Sequence, residues 1–435
     1  MPLLFFAYLA FSLTRTHGHF MLPDVAVTGV AIVAYAVAGL RGGTFRLSMA
    51  PSARTLSALI VLFCLSLNRD HELIYATEAA WVAVLRSLLA IVLIAAAGRA
   101  ALTWRGRSRG LLAFDVLIMA LMISAQIVTL SASPSPHIDV FTMLREAMDG
   151  LLAGANPYTL TYTDIYGFNT PPPVTYFPGT FGALLPGHLV FGDFRAAYIV
   201  CTIAAVAGIY RLARDEGYDA PHARLWVLVW LTLPVSLFVL EQAWVDSLLV
   251  PLAIWSVIAL RRKQWLLAGA LIGYGFAIKP TVILLAWFAL LLAVADGAAA
   301  ALMLGGTILV VVAVVLTPFV WMEPRAFYDD TIGFLLKQPL LGSPHSLPAL
   351  IQLVSNRVLP AWVGASLAAL MAGLVLPWWM RRSSGLRAVA FPLALSYVVT
   401  FYVVKNAYAN YYYYAAIFIL ADAMARQSSV RQAES

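Results

Sequence analysis

Long apolar runs recur from one end of this chain to the other, and they constrain its fold more than any other feature. An α-helix rises about 1.5 Å per residue, so about 20 apolar residues cross the hydrocarbon core of a bilayer. We count about 14 candidate runs, the first over residues 2–13 and the last over 409–424. Only 11% of the residues are charged, against roughly 25% in soluble domains. The sequence therefore predicts an all-α polytopic membrane protein with about 14 transmembrane helices.

The distribution of Lys and Arg predicts how these helices are oriented. Basic residues concentrate in short loops such as 105–109 and 261–263, and short cytoplasmic loops of membrane proteins carry such an excess. Both termini would then be cytoplasmic, and two large polar loops, 133–193 and 320–346, would face the periplasm or the cell exterior. The net charge of +7 fits contact with anionic membrane lipids, so we expect no nucleic-acid partner. The predicted location is the cell or plasma membrane.

The first of the two loops is rich in polar residues and prolines. It carries four carboxylates within 26 residues: Asp139, Glu146, Asp149 and Asp164. Anchoring alone gives no reason for a long acidic loop between membrane helices. We therefore predict that residues 137–178 form the functional site.

The start of this loop has the spacing of a surface helix. Apolar residues recur there at helical intervals: Ile138, Phe141, Met148 and Leu152. This pattern predicts an amphipathic helix on the membrane surface, with Arg145 and Glu146 on the opposite face. Gly154 is the expected stop, because glycine commonly ends helices. Residues 177–192, which contain two prolines, are predicted to form a second surface helix.

Asp139 stands at the start of the first surface helix, where its carboxylate would face the lipid headgroups. A carboxylate at that depth could accept a proton from an acceptor hydroxyl group within hydrogen-bond reach. The alternative is an aspartate in the first helical turn that is favoured only by the helix dipole. The residues alone leave both interpretations open.

Three features follow one another along the loop. An aspartate precedes a short amphipathic helix, Gly-x-Asn-Pro-Tyr follows at 154–158, and an aromatic-proline corner follows at 176–178. This order resembles the polyprenyl-phosphate-dependent glycosyltransferases of the GT-C fold, and in particular the mannosyltransferase-like glycosyltransferase family 87. Three later stretches are similar to further motifs of that family: Val245 to Leu249, Ala268-Gly269 and Lys279-Pro280. The likeness covers about residues 130–424.

The chain departs from the family pattern in two places. The family usually has its aspartate loop after the first helix, whereas about five predicted spans precede it here. We therefore expect an N-terminal transmembrane extension over residues 1–110, a GT-C-like glycosyltransferase module over 111–424 and a cytoplasmic tail over 425–435. The proline corner also reads Tyr-Phe-Pro instead of the commoner Tyr-Pro-Pro, after a triple proline at 171–173.

The resemblance implies inverting transfer of a hexose, with mannose expected, from a polyprenyl phosphate carrier to a lipid or glycan acceptor. Asp139 would then be the general base. The departing phosphate gains negative charge and needs positive donors nearby. Five side chains are candidates for this role: Arg145, Lys279, Lys337, His345 and Lys405. The alternatives are snorkelling to the membrane interface for Lys279 and an ordinary place in a polar loop for His345.

Further polar and aromatic residues are candidates for contact with the sugar or the acceptor. They are Glu146, Asn156, Tyr158, Tyr176, Glu241, Trp244, Asp246, Asn410 and Tyr411. Glu241 and Asp246 lie near the outer ends of adjoining spans, where they could equally be solvated helix-end carboxylates. Asn410 and Tyr411 belong to an aromatic cluster, and aromatic belts form at membrane interfaces in any case.

No metal ion or cofactor is assigned, although the outward carboxylates could bind a divalent ion. The resemblance requires none, and Cys64 and Cys201 lie inside apolar runs, as buried thiols do.

The main alternative to an enzyme is a multi-pass transporter or flippase of a lipid-linked solute. A third possibility is an inactive relative that serves in an assembly. A transporter would carry its functional charges along a path through the membrane. The polar residues concentrate in two outward loops instead, which favours an enzyme.

Overall fold

The computed structural model describes residues 1–40, 51–70, 73–167, 172–338, 344–380 and 385–425. Within these ranges the chain is helical, and its only β-type pairing is an isolated bridge between His19 and Pro344. Some features of the sequence lie outside the described residues: Pro171, the basic loops at 41–50 and 381–384, and the tail after Ala425. The α-helices are α1 (Pro2–Thr16), α2 (Leu22–Leu40), α3 (Ala53–Asp70), α4 (Ala79–Trp104), α5 (Leu111–Ala132), α6 (Asp139–Leu152), α7 (Gly179–Phe191), α8 (Ala196–Asp215), α9 (Ala220–Leu231), α10 (Ser236–Glu241), α11 (Asp246–Arg261), α12 (Trp265–Ile278), α13 (Ile283–Asp296), α14 (Ala298–Met322), α15 (Pro324–Tyr328), α16 (Phe334–Lys337), α17 (Leu347–Ser355), α18 (Ala361–Leu370), α19 (Leu376–Met380), α20 (Gly385–Val403) and α21 (Ala409–Met424).

Six of the described helices are long and apolar enough to cross a membrane: α2, α4, α5, α8, α14 and α20. The protein is therefore an all-α integral membrane protein, but the predicted count of 14 spans is not supported. Several apolar runs are interrupted. The run at 223–240 is divided into α9 and α10 around Pro234, where a proline in the chain blocks helix continuation. The run at 360–380 is divided by the π-helical turn Met371–Val375.

Helix α11 lies at the centre of the bundle. It packs against α8, α12 and α21, and most of its residues are buried. Its first residue, Asp246, and its last, Arg261, are about 23 Å apart along the helix axis. At the Arg261 end, basic residues pair with the end of α8, where Arg262 contacts Asp215 at 2.6 Å. One end of the bundle thus carries paired basic residues, and the opposite end carries Asp246.

The N-terminal helices share a hydrophobic core with the rest of the described chain. Helix α1 packs along α21, and α2 packs against α20. Two buried hydrogen bonds join the same parts. The hydroxyl of Tyr35 donates to the Asp422 carboxylate at 2.8 Å, and the Thr28 hydroxyl lies 2.9 Å from Nε2 of His345. The described residues before position 111 therefore pack into the same core as the rest of the described chain.

Candidate active site

Helix α6 begins at Asp139, as predicted. The chain leaves the helix through Gly154, whose φ of 83° suits a residue without a side chain. Phe141 and Met148 on the apolar face are buried, whereas Leu152, predicted on the same face, is 52% exposed. The local pattern therefore predicted the course of this helix, and only its last turn departs from the expected burial.

The Asp139 carboxylate is partly shielded from solvent by its neighbours. Its Oδ1 accepts the N–H of Val140 at 2.8 Å, and the Asp139 N–H donates to the Tyr166 hydroxyl at 3.4 Å. Burial raises the pKa of Asp139, and the Val140 N–H acts in the opposite direction. A carboxylate with a raised pKa is a better proton acceptor, which suits a general base. The charge of Asp139 contributes to the raised pKa of two more phenols, Tyr75 and Tyr408.

The charges of Asp139 and of a second carboxylate both affect the Tyr176 phenol. Burial raises the pKa of the Tyr176 phenol, and the charges of Asp246 and Asp139 raise it further. The charges at the start of α6 and at the start of α11 therefore both act on this phenol, although the two carboxylates are distant in sequence.

The proline corner that carries Tyr176 is held against the end of α12. The N–H of Phe177 and the hydroxyl of Thr180 both donate to the carbonyl of Ile278, each at 3.2 Å. Gly179 has no room for a side chain there, because a Cβ would lie 2.6 Å from the carbonyl oxygen of Ala277. A glycine is therefore required for this close approach.

Asn156 and Tyr158, both predicted to contact the sugar or acceptor, make contacts that shape the same corner. Oδ1 of Asn156 accepts the N–H of Tyr158 at 3.1 Å and caps the short 3-10 helix Pro157–Thr159. The Tyr158 hydroxyl donates to the Tyr176 carbonyl at 2.8 Å. Both side chains are buried. In the structure they position Tyr176.

Asp246, Lys279 and Asn410 form a buried polar cluster. The Lys279 ammonium donates to both carboxylate oxygens of Asp246 at 2.9 Å, and the Asn410 amide donates to Oδ2 at 2.6 Å. The ammonium also lies 4.0 Å from the centre of the Tyr411 ring, a cation–π distance. Lys279 is 7% exposed and Asp246 is 1% exposed. Lys279 therefore does not snorkel, and Asp246 is not a solvated helix-end carboxylate.

Glu241 is also buried, but its carboxylate faces the N-terminal part of the chain. Its two oxygens accept the N–H groups of Ile74 and Tyr75 at 2.8 and 2.9 Å. The solvated alternative is therefore wrong for Glu241 as well. Trp244, a few residues on, packs edge-on against Phe238, with ring centres 5.3 Å apart.

His345 is not an ordinary loop histidine. It is fully buried, with its Nε2 beside the Thr28 hydroxyl. Burial lowers the pKa of His345 to about 4, so the imidazole is neutral at physiological pH. It could donate to a phosphate only as a neutral group.

The other predicted phosphate and sugar contacts are engaged elsewhere or exposed. Lys405 donates to the carbonyl of Gln338, and Lys337 is exposed at the end of α16. Arg145 lies over the Phe141 ring, 5.4 Å from its centre. In the same region, Glu146 accepts the N–H and the hydroxyl of Thr163 at 3.0 and 2.6 Å.

Several residues near Asp139 were not predicted from the sequence. Tyr75 and Tyr166 lie in loops and belong to no local motif, so sequence spacing does not mark them. Asp330 is a further residue that the sequence did not predict, and it lies against the backbone of Val174. Burial raises the pKa of Asp330 to about 6, and the N–H of Val174 opposes that shift. The adjacent Asp329-Asp330 pair is a sequence signal for it.

The bundle defines an integral membrane protein, and its polar residues include a half-buried carboxylate, Asp139, and a buried cation, Lys279. A model of glycosyltransferase family 87 matches residues 169–404, more than half of the chain, and the protein belongs to this family. It is therefore a membrane glycosyltransferase. The matched region includes Tyr176, Asp246 and Lys279, whereas Asp139 precedes it and Asn410 follows it. No curated protein and no solved structure matches the chain.

Proposed function

We propose that this glycosyltransferase transfers a hexose, mannose first among the candidates, from a polyprenyl phosphate carrier to a lipid or glycan acceptor. The observation that carries the proposal is the buried cluster of Asp246, Lys279 and Asn410, together with Asp139, whose charge raises the pKa of the Tyr176 phenol as that of Asp246 does. Inverting transfer needs a proton acceptor at the incoming hydroxyl and positive charge at the departing phosphate. Asp139 and Lys279 supply these two groups.

In the proposed reaction, the acceptor oxygen attacks the anomeric carbon and its proton passes to Asp139. The bond between the anomeric carbon and the phosphate oxygen breaks, and its electron pair stays on the phosphate. Attack from the side opposite the leaving group inverts the anomeric configuration. The raised pKa of Asp139 supports this role, because a more basic carboxylate accepts the proton more readily.

Lys279 is proposed to stabilise the charge on the departing lipid phosphate. Its ion pair with Asp246 supports this role, because the carboxylate favours the charged ammonium in a buried position and fixes its direction. Oδ1 of Asn410 has no hydrogen-bond partner among the described residues. Because buried polar atoms are normally paired, we assign this oxygen to a hydroxyl of the bound sugar.

The site is proposed to face the periplasm or the cell exterior. Asp246 lies at one end of α11, and Arg261 and Arg262 lie at the other. Basic residues accumulate on the cytoplasmic side of membrane proteins. The carboxylate end of the bundle is then the outward end.

Incubation of the purified protein with radiolabelled polyprenyl phosphate mannose and a lipid extract of the source cells tests the proposal. The wild type should form a labelled lipid or glycan product. Asp139→Asn should lower the rate about a hundredfold to ten-thousandfold, the range for loss of a general base. Asp149→Asn is the matched control on α6, because its carboxylate is 60% exposed, and it should retain activity.

Two results would contradict the proposal. One is transfer by Asp139→Asn at the wild-type rate. The other is movement of the intact lipid-linked sugar across vesicle membranes without any product, which would favour the transporter alternative.

A further inference from the structure

Residues 73–78, the described part of the loop before α4, are held at the end of α10 by a buried carboxylate. Oε2 and Oε1 of Glu241 accept the N–H groups of Ile74 and Tyr75 at 2.8 and 2.9 Å. Glu241 is fully buried, and a buried carboxylate is strongly unfavourable without hydrogen-bond donors. The backbone at Ile74 and Tyr75 is therefore held in one place.

The same loop contacts the turn that precedes Asp139. The N–H of Thr77 donates to the carbonyl of Ala132, the last residue of α5, at 3.0 Å. The Ser133 hydroxyl donates to the carbonyl of Tyr75, also at 3.0 Å. The loop therefore lies along the junction between α5 and α6, the helix that begins at Asp139.

Arg195 reinforces this junction from the start of α8. Its guanidinium is fully buried and donates to the carbonyl of Ser133 at 2.7 Å and to that of Glu241 at 3.4 Å. The guanidinium also forms an ion pair with the Asp193 carboxylate, with Nη2 of Arg195 2.7 Å from Oδ2 of Asp193. The loop, the junction and the carboxylate that clamps them are thus fixed relative to one another.

The Tyr75 side chain is partly exposed, and its backbone is fixed beside the junction that leads to Asp139. Burial raises the pKa of Tyr75, and the charges of Glu241 and Asp139 raise it further. The phenol is therefore protonated at neutral pH and can donate a hydrogen bond.

We propose that Tyr75 binds the acceptor: its hydroxyl pairs with one sugar hydroxyl of a glycan-bearing acceptor while a neighbouring hydroxyl faces Asp139. A phenol suits such an acceptor, because its ring packs against pyranose C–H groups and its hydroxyl pairs with a polar group. Tyr75 precedes the family match at 169–404. The N-terminal part of the chain thus helps to select the acceptor, and the matched region holds the donor phosphate. This inference rests on the proposed function.

Acceptor kinetics of the purified full-length protein test this assignment. Polyprenyl phosphate mannose is kept saturating, and the lipid extract is titrated as acceptor. Tyr75→Phe removes one hydroxyl and should raise the apparent acceptor KM about threefold to tenfold, the effect of losing one neutral hydrogen bond. Tyr75→Ala should raise it further. The donor KM and the slow breakdown of the donor by water should remain at wild-type values.

Two further variants separate binding from general structural damage. Tyr210→Phe removes a hydroxyl from a partly buried tyrosine of α8 and should leave both KM values unchanged. Glu241→Gln weakens the hold on the loop while Tyr75 is retained, and it should raise the acceptor KM alone.

The outcomes separate this inference from the proposed function. If the wild type transfers mannose but both Tyr75 variants keep the wild-type acceptor KM, the assignment of Tyr75 is overturned and the proposed function stands. An equal rise in donor KM would also overturn it. Absence of transfer by the wild type would overturn the proposed function and this inference with it.

Discussion

The ammonium of Lys279 and the carboxylate of Asp246 depend on each other for their buried positions. An isolated charge in such a place is strongly unfavourable, whereas a well-aligned pair with further hydrogen bonds is tolerated. Asn410 supplies one of these hydrogen bonds, and the Tyr411 ring contacts the cation. The cluster therefore keeps a charged lysine in a largely apolar region, where its attraction for a phosphate would be strong.

Single and double substitutions should separate the structural role of this pair from its role in transfer. Asp246→Asn or Lys279→Met leaves one buried charge without its partner and should destabilise the protein by about 3–5 kcal/mol. The double variant leaves neither charge and should recover most of the stability. It should still fail to transfer sugar, because no cation remains at the phosphate. The measurements are the Tm of the detergent-solubilised protein and the rate of product formation.

An exposed pair provides the control for this experiment. Lys263 and Asp296 also form an ion pair, but their side chains are 66% and 28% exposed. Their double replacement should change stability by less than about 1 kcal/mol and leave transfer intact. Transfer by the Asp246→Asn/Lys279→Met double variant at the wild-type rate would remove Lys279 from the mechanism.

At the scale of elements, the junction of α7 with α12 decides where Tyr176 lies. The first residue of α7 is Gly179, and it packs directly on the backbone of Ala277. Hydrogen bonds from Phe177 and Thr180 to Ile278 tie the corner to the residue before Lys279. The position of the corner and the position of the lysine are therefore coupled through the backbone.

Gly179→Ala should disturb both stability and transfer. Its Cβ would approach a backbone oxygen to 2.6 Å, and relief of the overlap requires α7 and α12 to move apart. Overpacking of this kind costs about 1–3 kcal/mol, and the shift would change the position of Tyr176 relative to Lys279. Tm and transfer rate should both fall.

Gly306 offers a matched comparison on a helix. A Cβ at Gly306 meets no atom within 4 Å, so Gly306→Ala should be neutral or stabilising by up to about 1 kcal/mol, as expected from helix propensity. If Gly179→Ala behaved in the same way, the close approach at the corner would have no part in positioning the site.

At the scale of the whole molecule, the two ends of the bundle carry different sets of charged side chains. Basic residues near the ends of α8 and α11 are paired with carboxylates at one end, as in Arg261–Glu216 and Arg262–Asp215. The opposite end carries the Asp246 cluster and the loops around Asp139. This division is the basis for the proposed outward orientation of the site.

Cysteine labelling on intact cells tests the orientation. In a background with both native cysteines replaced by alanine, Lys337→Cys and Arg107→Cys place single thiols at exposed positions. A membrane-impermeant maleimide should label Lys337→Cys on intact cells and Arg107→Cys only after permeabilisation. The reverse pattern would place the site in the cytoplasm.

Local features of this protein could be predicted from its sequence, because they depend on residues close together along the chain. Apolar runs show a membrane protein, since the bilayer favours burial of such helices. The spacing of apolar residues and Gly154 predicted α6, with Asp139 at its start. The span count failed for two reasons. Several apolar runs form helices of fewer than 18 residues, such as α1, α12 and α13, and two further runs are interrupted at Pro234 and at the turn at 371–375.

Partners that are distant in sequence were decided only by tertiary packing. Three hydrogen-bonded pairs show this. Lys279 and Asp246 are 33 residues apart in the sequence, Asn410 and Asp246 are 164 apart, and Glu241 and the Tyr75 backbone are 166 apart. Each of these side chains could equally have faced water when considered alone. The arrangement of the helices decides which of these side chains are buried. A polar group buried between packed helices needs a hydrogen-bond partner, and the helix or loop that lies opposite supplies it.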